Sequence, residues 1–339
     1  MRPQRLLHAS GLLALYLCAL PALAAPIALP NSSPLARIAG PNGAQPARLA
    51  EAGTTQASFL VTVSSHSASD IEGDELFMLD GETWEATFSL RRSLASGLEL
   101  GLELPFIVHE NGILDSAIDW YHDLTGLPGG ERDGQPTNQL AFLYRASAES
   151  GGETARLDNP AAGIGDVTLY AAWPLLSGAA ADAPSAALRV GLRLPTGDSD
   201  DLLGNGAAGL SLALSGSRPF SLGGYPGELY GRAGVLAPAI AGSGVLDNVQ
   251  EDVAGFITMA ATWHRWQRLS LTLQLDSNSP LWDSNVGDLG GVPLQLVVAG
   301  EWHRKTRGDG NAIVFGFAED LAIDRSPDIV FFFNWQQRY

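Results

Sequence analysis

The feature that most restricts this chain is a strict alternation of apolar and polar residues over segments of about ten residues, the length that crosses a bilayer as a tilted strand. Trp84, Ala86, Phe88 and Leu90 share one face, and Glu85, Thr87, Ser89 and Arg91 share the other. After a turn near Ser96-Gly97, Leu98, Leu100, Leu102 and Leu104 alternate with Glu99, Gly101 and Glu103. The pattern returns at Val167–Trp173, Leu188–Leu194, Leu269–Asp276 and Ile329–Trp335. A period of two places each set on one face of a β-strand.

Two kinds of protein alternate in this way. A soluble sandwich turns its apolar faces inward. A membrane barrel turns them outward to lipid and keeps a polar interior. The length of the segments favours the barrel, since soluble strands usually run to about 5–6 residues. So do the aromatics at segment ends, Trp84, Phe106, Trp173, Trp263, Trp302 and Trp335, which suit interfacial girdles. Gly and Ala on many apolar faces, as in 207–213, keep the sandwich open as the alternative.

Fourteen strands are expected between residues 57 and 337, with twelve as the alternative count. The segment 153–159 is the weakest and is retained partly for parity, because both termini of a bacterial barrel lie on one side. Short connections at 94–96, 265–267 and 303–310 read as periplasmic. Longer ones at 67–82, 109–137, 197–206, 238–251 and 281–291 read as extracellular. Within 109–137, Leu114, Ala117, Ile118 and Tyr121 make one helical stripe with Asp115, Asp119 and Asp123 opposite, so a short helix is expected there.

Residues 1–25 read as a signal peptide. Arg2 and Arg5 precede an apolar run, and Ala22-Leu23-Ala24 is a small-x-small cleavage site. The single cysteine, Cys18, lies inside that segment. Residues 26–56, rich in Pro, Gly, Asn and Ala, show no strand period and read as a periplasmic tail or a lumenal plug, ahead of a barrel over 57–339.

Acidic residues outnumber basic ones 37 to 20, so the basic footprint of a nucleic-acid binder is missing. The expected partners are outer-membrane lipid and a small solute. If the apolar faces meet lipid, Glu85, Arg91, Glu99, Glu103, Arg145, Arg189, Arg193, Arg232 and Asp276 face the lumen, because a charge facing lipid at mid-bilayer costs about 2–4 kcal/mol. These charges can pair and fill the interior, or line an aqueous pore. All but one of the 20 basic residues are Arg, the side chain suited to bidentate carboxylate pairing.

Other chemistry has less support. Asp198, Asp200 and Asp201 crowd one loop, and Asp247, Glu251 and Asp252 another, but neither has EF-hand spacing. His109 and His122 border the longest loop near Asp115, Ser116 and Asp123, from which a Ser-His-Asp set could be assembled. No Gly-x-Ser-x-Gly elbow occurs. Gly163-x-Gly165 precedes a strand rather than linking strand to helix, so no dinucleotide site follows. No cofactor is expected.

Several stretches resemble a proteobacterial family known as domain of unknown function 3187. They are Leu79-Asp80-Gly81-Glu82-Thr83 through Leu102-Glu103-Leu104-Pro105-Phe106, and Trp120-Tyr121-His122-Asp123-Leu124 with Gly126-Leu127-Pro128. Gly163-Ile164-Gly165-Asp166, Leu194-Pro195-Thr196-Gly197-Asp198 and Glu319-Asp320-Leu321-Ala322 complete them. The resemblance implies an outer-membrane barrel and assigns no activity. Asn31-Ser32-Ser33-Pro34-Leu35 also resembles the Asn-Pro segment in the lumenal hatch of hydrophobic-substrate uptake barrels, with two serines inserted. The expected function is a passive channel or uptake barrel for a small or amphipathic solute. A closed docking barrel and a lipid-modifying enzyme are the alternatives.

Overall fold

The computed structural model describes residues 26–112, 139–177, 183–304, 311–322 and 325–339. The expected signal peptide and the helix expected within 109–137 therefore lie outside the described residues, as do Asp115, Ser116, His122 and Asp123.

Fifteen strands are described: β1 (Thr55–Glu72), β2 (Glu75–Ser93), β3 (Glu99–Glu110), β4 (Ala141–Arg145), β5 (Thr154–Leu157), β6 (Ala161–Ile164), β7 (Val167–Ser177) and β8 (Ser185–Leu194). The rest are β9 (Ala208–Leu222), β10 (Tyr225–Ala241), β11 (Ala254–Trp263), β12 (Leu269–Asn278), β13 (Leu294–His303), β14 (Ala312–Asp320) and β15 (Ile329–Arg338). Two short helices accompany them, α1 (Pro34–Ala39) and α2 (Gly287–Gly290).

Twelve strands pair antiparallel with their neighbours and close on themselves in the order β1-β2-β3-β7-β8-β9-β10-β11-β12-β13-β14-β15. Register from Gln56 opposite Arg338 to Ser65 opposite Ile329 joins first strand to last. Closure removes every edge within the ring. The strands at 141–145 and 154–157 exist, but outside the ring: β4 pairs with the upper end of β2, Leu76–Asp80, and β5 pairs with β4. The ring therefore has the smaller of the two expected counts.

The faces are inverted relative to a soluble protein. On β12, Leu271, Leu273 and Leu275 are 40%, 57% and 38% exposed, while Ser270, Thr272 and Gln274 are at most 3% exposed. Phe331, Phe333 and Trp335 on β15 and Leu210, Leu212 and Leu214 on β9 also face out. This is the fold of a transmembrane β-barrel, not of a sandwich. Trp173, Trp302 and Trp335 stand exposed at the strand ends nearest the termini, with Trp266 in the adjacent turn.

Residues 67–82, expected as a loop, continue β1 and β2 in register to a tight turn at Gly73-Asp74. Ser67, Ser69 and Asp70 hide the strand with their polarity, yet each stays in the ladder, opposite Asp80, Met78 and Phe77. The β9–β10 connection is likewise tight, at Gly223-Gly224, both with positive φ, as a two-residue hairpin turn requires.

β6 and β7 are one strand interrupted by a bulge. β3 pairs Phe106 with Ile164 above it and Glu103 with Thr168 below it, a shift of one residue. Pro105 sits opposite, without an N–H to give; its carbonyl accepts the Gly165 N–H at 2.9 Å.

At the end away from the termini, an apolar core fills the mouth. It joins Leu35 and Ile38 of α1, Phe77 and Leu79 of β2, Phe142 of β4, and Leu202, Leu246, Leu281 and Trp282 of the loops.

Candidate functional site

The site is the interior of the ring, and residues 26–48 run through it. This segment rises along β12–β15, turns through α1 beneath the mouth, and descends towards the terminal side. Pro34 occupies the first turn of α1, where its missing N–H costs nothing. Ile27 and Leu29 pack on Val297, Val314, Val330 and Phe332, and Ala44 and Ala47 on Tyr230 and Ala260. The two limbs touch at Gly43, whose Cα lies so close to the Ala28 backbone that a Cβ would collide with it.

Polar side chains from the wall hold the segment at successive levels. Gln274 accepts the Ile27 N–H at 2.8 Å and donates to the Ile27 carbonyl at 2.9 Å. Glu85 takes a forked pair from Arg37, Nε at 2.6 Å and Nη2 at 2.8 Å, and also accepts the Thr87 hydroxyl. Glu103 accepts the amides of Asn42 at 2.6 Å and Gln45 at 2.7 Å. Arg193 donates to the carbonyls of Ile38 and Gly40 at the end of α1. Arg232 donates to the Asn42 carbonyl at 2.9 Å and lies over the Phe256 ring, 4.4 Å from its centroid. The Tyr230 hydroxyl donates to the Gln45 carbonyl at 2.8 Å. Nearer the termini, Arg189 stands 3.3 Å from Glu99 and Arg91 4.0 Å from it. Asp276 accepts from Thr258 at 2.6 Å and Gln274 at 2.7 Å.

Eight of the nine expected lumenal charges thus lie inside the ring. Arg145 does not: it is exposed on β4, opposite Leu76, above the ring where there is no lumen to line. Sequence reasoning missed the partners, Arg37, Asn42 and Gln45, and the neutral wall residues Gln274 and Tyr230. A helix opening on Pro34, with Arg37 among apolar neighbours, was the one local sign of them.

Burial by itself would lower the affinity of Arg37 for its proton. The Glu85 carboxylate beside it outweighs that and holds the guanidinium above its ordinary value.

His109 is buried at the mouth. Its Nε2 lies 3.3 Å from the Leu202 carbonyl, which can only accept, so the proton sits on Nε2. Nδ1 then accepts the Thr83 hydroxyl at 2.9 Å, and Thr83 Oγ1 in turn accepts His66 Nε2–H at 3.1 Å. Leu202, with φ 55°, is one of two non-glycine residues with positive φ among those described; Leu246, with φ 56°, is the other. The chain from His66 to Leu202 fastens a strained loop across the barrel mouth.

Asp198 and Asp200 are exposed, and Asp198 spends its carboxylate on the Asp200 N–H at 3.0 Å. Asp201 is half-buried. Asp247 accepts the Gly244 N–H at 3.2 Å. Among the described residues, no three His, Cys, Asp or Glu side chains converge as a metal site would require.

Above the ring, Glu75 gathers the Ser284 hydroxyl at 2.6 Å, the Asn285 side-chain amide at 2.9 Å, the Asn285 N–H at 3.1 Å and the Tyr144 hydroxyl at 3.3 Å. Burial would raise this carboxyl, but the hydrogen bonds from Ser284, Asn285 and Tyr144 win and hold it below its ordinary range. Burial pushes the Tyr144 phenol up to about 12.

Spaces left between segment and wall hold only 20–50 Å³ each, room for water and not for the 300–1,000 Å³ of an ordinary ligand pocket.

A profile described as "Protein of unknown function (DUF3187)" matches residues 15–339. No curated protein matches the chain. Among solved structures, the COG4313 outer membrane channel from Pseudomonas putida F1 is 15% identical with a TM-score of 0.50, covering 86% of this chain and 97% of its own. The NanC porin is 7% identical with a TM-score of 0.42, covering 83% and 97%. The Ralstonia pickettii toluene transporter TbuX is 9% identical with a TM-score of 0.37, covering 86% and 90%. At these identities the likeness is one of fold.

Proposed function

The chain belongs to the DUF3187 family of proteins of unknown function, and from its barrel we propose an outer-membrane channel for a small or amphipathic solute, held closed by residues 26–48. The exposed apolar belt supports residence in a bilayer. One observation carries the gating: beside its apolar contacts, the segment is fastened inside the ring by hydrogen bonds from polar wall side chains at successive levels. Exposed side chains can take up such bonds with water, so the segment can leave at a cost far below that of unfolding the wall.

The test is conductance across a planar bilayer, comparing the refolded mature chain with a variant lacking 26–50. The variant is expected to give large, stable openings, and the intact chain rare or small ones. Silence from both, with folding verified by heat-modifiable migration, would defeat the channel. It would favour the second reading, a closed barrel with a structural or docking role, for which the filled lumen is the supporting observation.

A further inference from the structure

We infer that a binding site for a small neutral carboxamide with an apolar body lies between the N-terminal segment and the wall at β10–β13. Its polar floor is Gln295. This side chain is 2% exposed, yet among the described residues neither its amide nitrogen nor its amide oxygen has a hydrogen-bond partner. It lines a void of about 30 Å³ shared with Arg232 and Asp276. A second void of about 30 Å³ lies towards the mouth and has Asn31, Asn278, Pro293 and Ser326 in common with the first, so the two adjoin. The upper one is walled by Phe77, Leu79, Leu281 and Trp282, and Asp288 and Arg325 also line it. Trp282 is 1% exposed and its indole N–H also lacks an acceptor.

Buried polar atoms without partners are uncommon, and each calls for a cause. Gln295 presents an open donor beside an open acceptor, the complement of a carboxamide, which forms two such bonds at once. The floor favours a neutral head. Asp276 is satisfied by Thr258 and Gln274, Arg232 donates to Asn42 and lies over Phe256, and these two opposite charges line the same void, so the floor carries no net charge. The apolar body then lies upward among Phe77, Leu281 and Trp282. In this conformation the voids take only water-sized molecules. Binding therefore requires Asn31, which donates to Ser326 at 3.3 Å, to yield between them, so the solute would loosen the segment that closes the lumen.

This inference rests on the channel reading, and the two are tested separately. Benzamide, benzoate, benzylammonium and toluene are titrated against the refolded full mature barrel by saturation-transfer NMR. Saturable benzamide binding is expected, with each of the others at least tenfold weaker. Gln295→Leu and Trp282→Phe should each weaken benzamide at least tenfold while leaving heat-modifiable migration unchanged. Equal binding of benzamide and toluene, a preference for either ion, or indifference to Gln295→Leu would overturn the site. So would no saturable binding at all, water then being the partner of Gln295. Should Gln295→Leu fail to fold, Gln295→Glu serves in its place and is expected to reject benzamide. Conductance from a barrel that binds no benzamide would sink the site and spare the channel. Benzamide binding by a barrel that stays silent without 26–50 would do the reverse.

Discussion

Asp166 holds Gly197 across two strands: its carboxylate accepts the Gly197 N–H at 3.0 Å and, with its other oxygen, the Asn205 N–H at 2.8 Å. The Thr196 hydroxyl completes the knot, donating to the Gly165 carbonyl and accepting the Val167 N–H. The bulge opposite Pro105 thereby anchors the loop that carries Leu202 into the mouth. Asp166→Ala strands two backbone donors, each costing about 1–3 kcal/mol when buried. Loop 195–207 should then become sensitive to added protease in the folded barrel, and Asp166→Asn, which keeps one acceptor, should be intermediate. Unchanged resistance of the alanine variant would refute the anchor.

Breaking the Arg37–Glu85 fork should release the segment. A buried pair that loses one member costs about 3–5 kcal/mol, because the survivor is left charged and alone. Glu85→Gln is expected to raise open probability in bilayer recordings. Replacing both members with Met should return the channel most of the way to its closed level. A Glu85→Gln barrel as quiet as the parent would remove the fork from gating.

The contact of Gly43 with Ala28 forces the two limbs of the segment to pack backbone to backbone. Gly43→Val should part them. The readout uses Ala44→Cys, since Ala44 is 1% exposed and the chain's single cysteine lies in the expected signal peptide. A membrane-impermeant thiol reagent should label Cys at 44 at least tenfold faster when Gly43 is replaced.

Glu75 predicts an acid response above the ring. Its folded carboxyl sits below the ordinary 4.5, so it contributes stability that is fully present above that value and is lost as pH falls through the lower, folded value. Protection of the Asn285 amide and its neighbours against hydrogen exchange should therefore fall once the pH drops below the ordinary carboxylate range. Glu75→Gln should show low protection at every pH and no acid step.

Much of this was legible in the sequence. The two faces of β7, β8, β12 and β15 follow from alternation, since a pleated strand must send successive side chains to opposite sides, and segment length with aromatics at the ends favoured turning the apolar face out. The same rule put Glu85, Glu103, Arg193 and Arg232 inside once lipid took the other face. Alternation is blind beyond that. Arg145 obeys it and still lies outside the lumen, because pairing with β2 above the ring is a choice of partner, not of period. Ser67, Ser69 and Asp70 show little apolar pattern, and only their pairing with Asp80, Met78 and Phe77 of β2 makes a strand of them.

What the sequence determined by itself was local: the strand period and two faces of opposite character, from which a barrel with a charged interior was the favoured expectation. Which residues meet across that interior was decided by the tertiary structure alone. Arg37 finds Glu85 over 48 positions, and Ile27 finds Gln274 over 247. The reason is physical. Lipid selects the outer face one residue at a time, whereas each lumenal side chain is satisfied only when ring closure brings a distant partner within hydrogen-bonding distance.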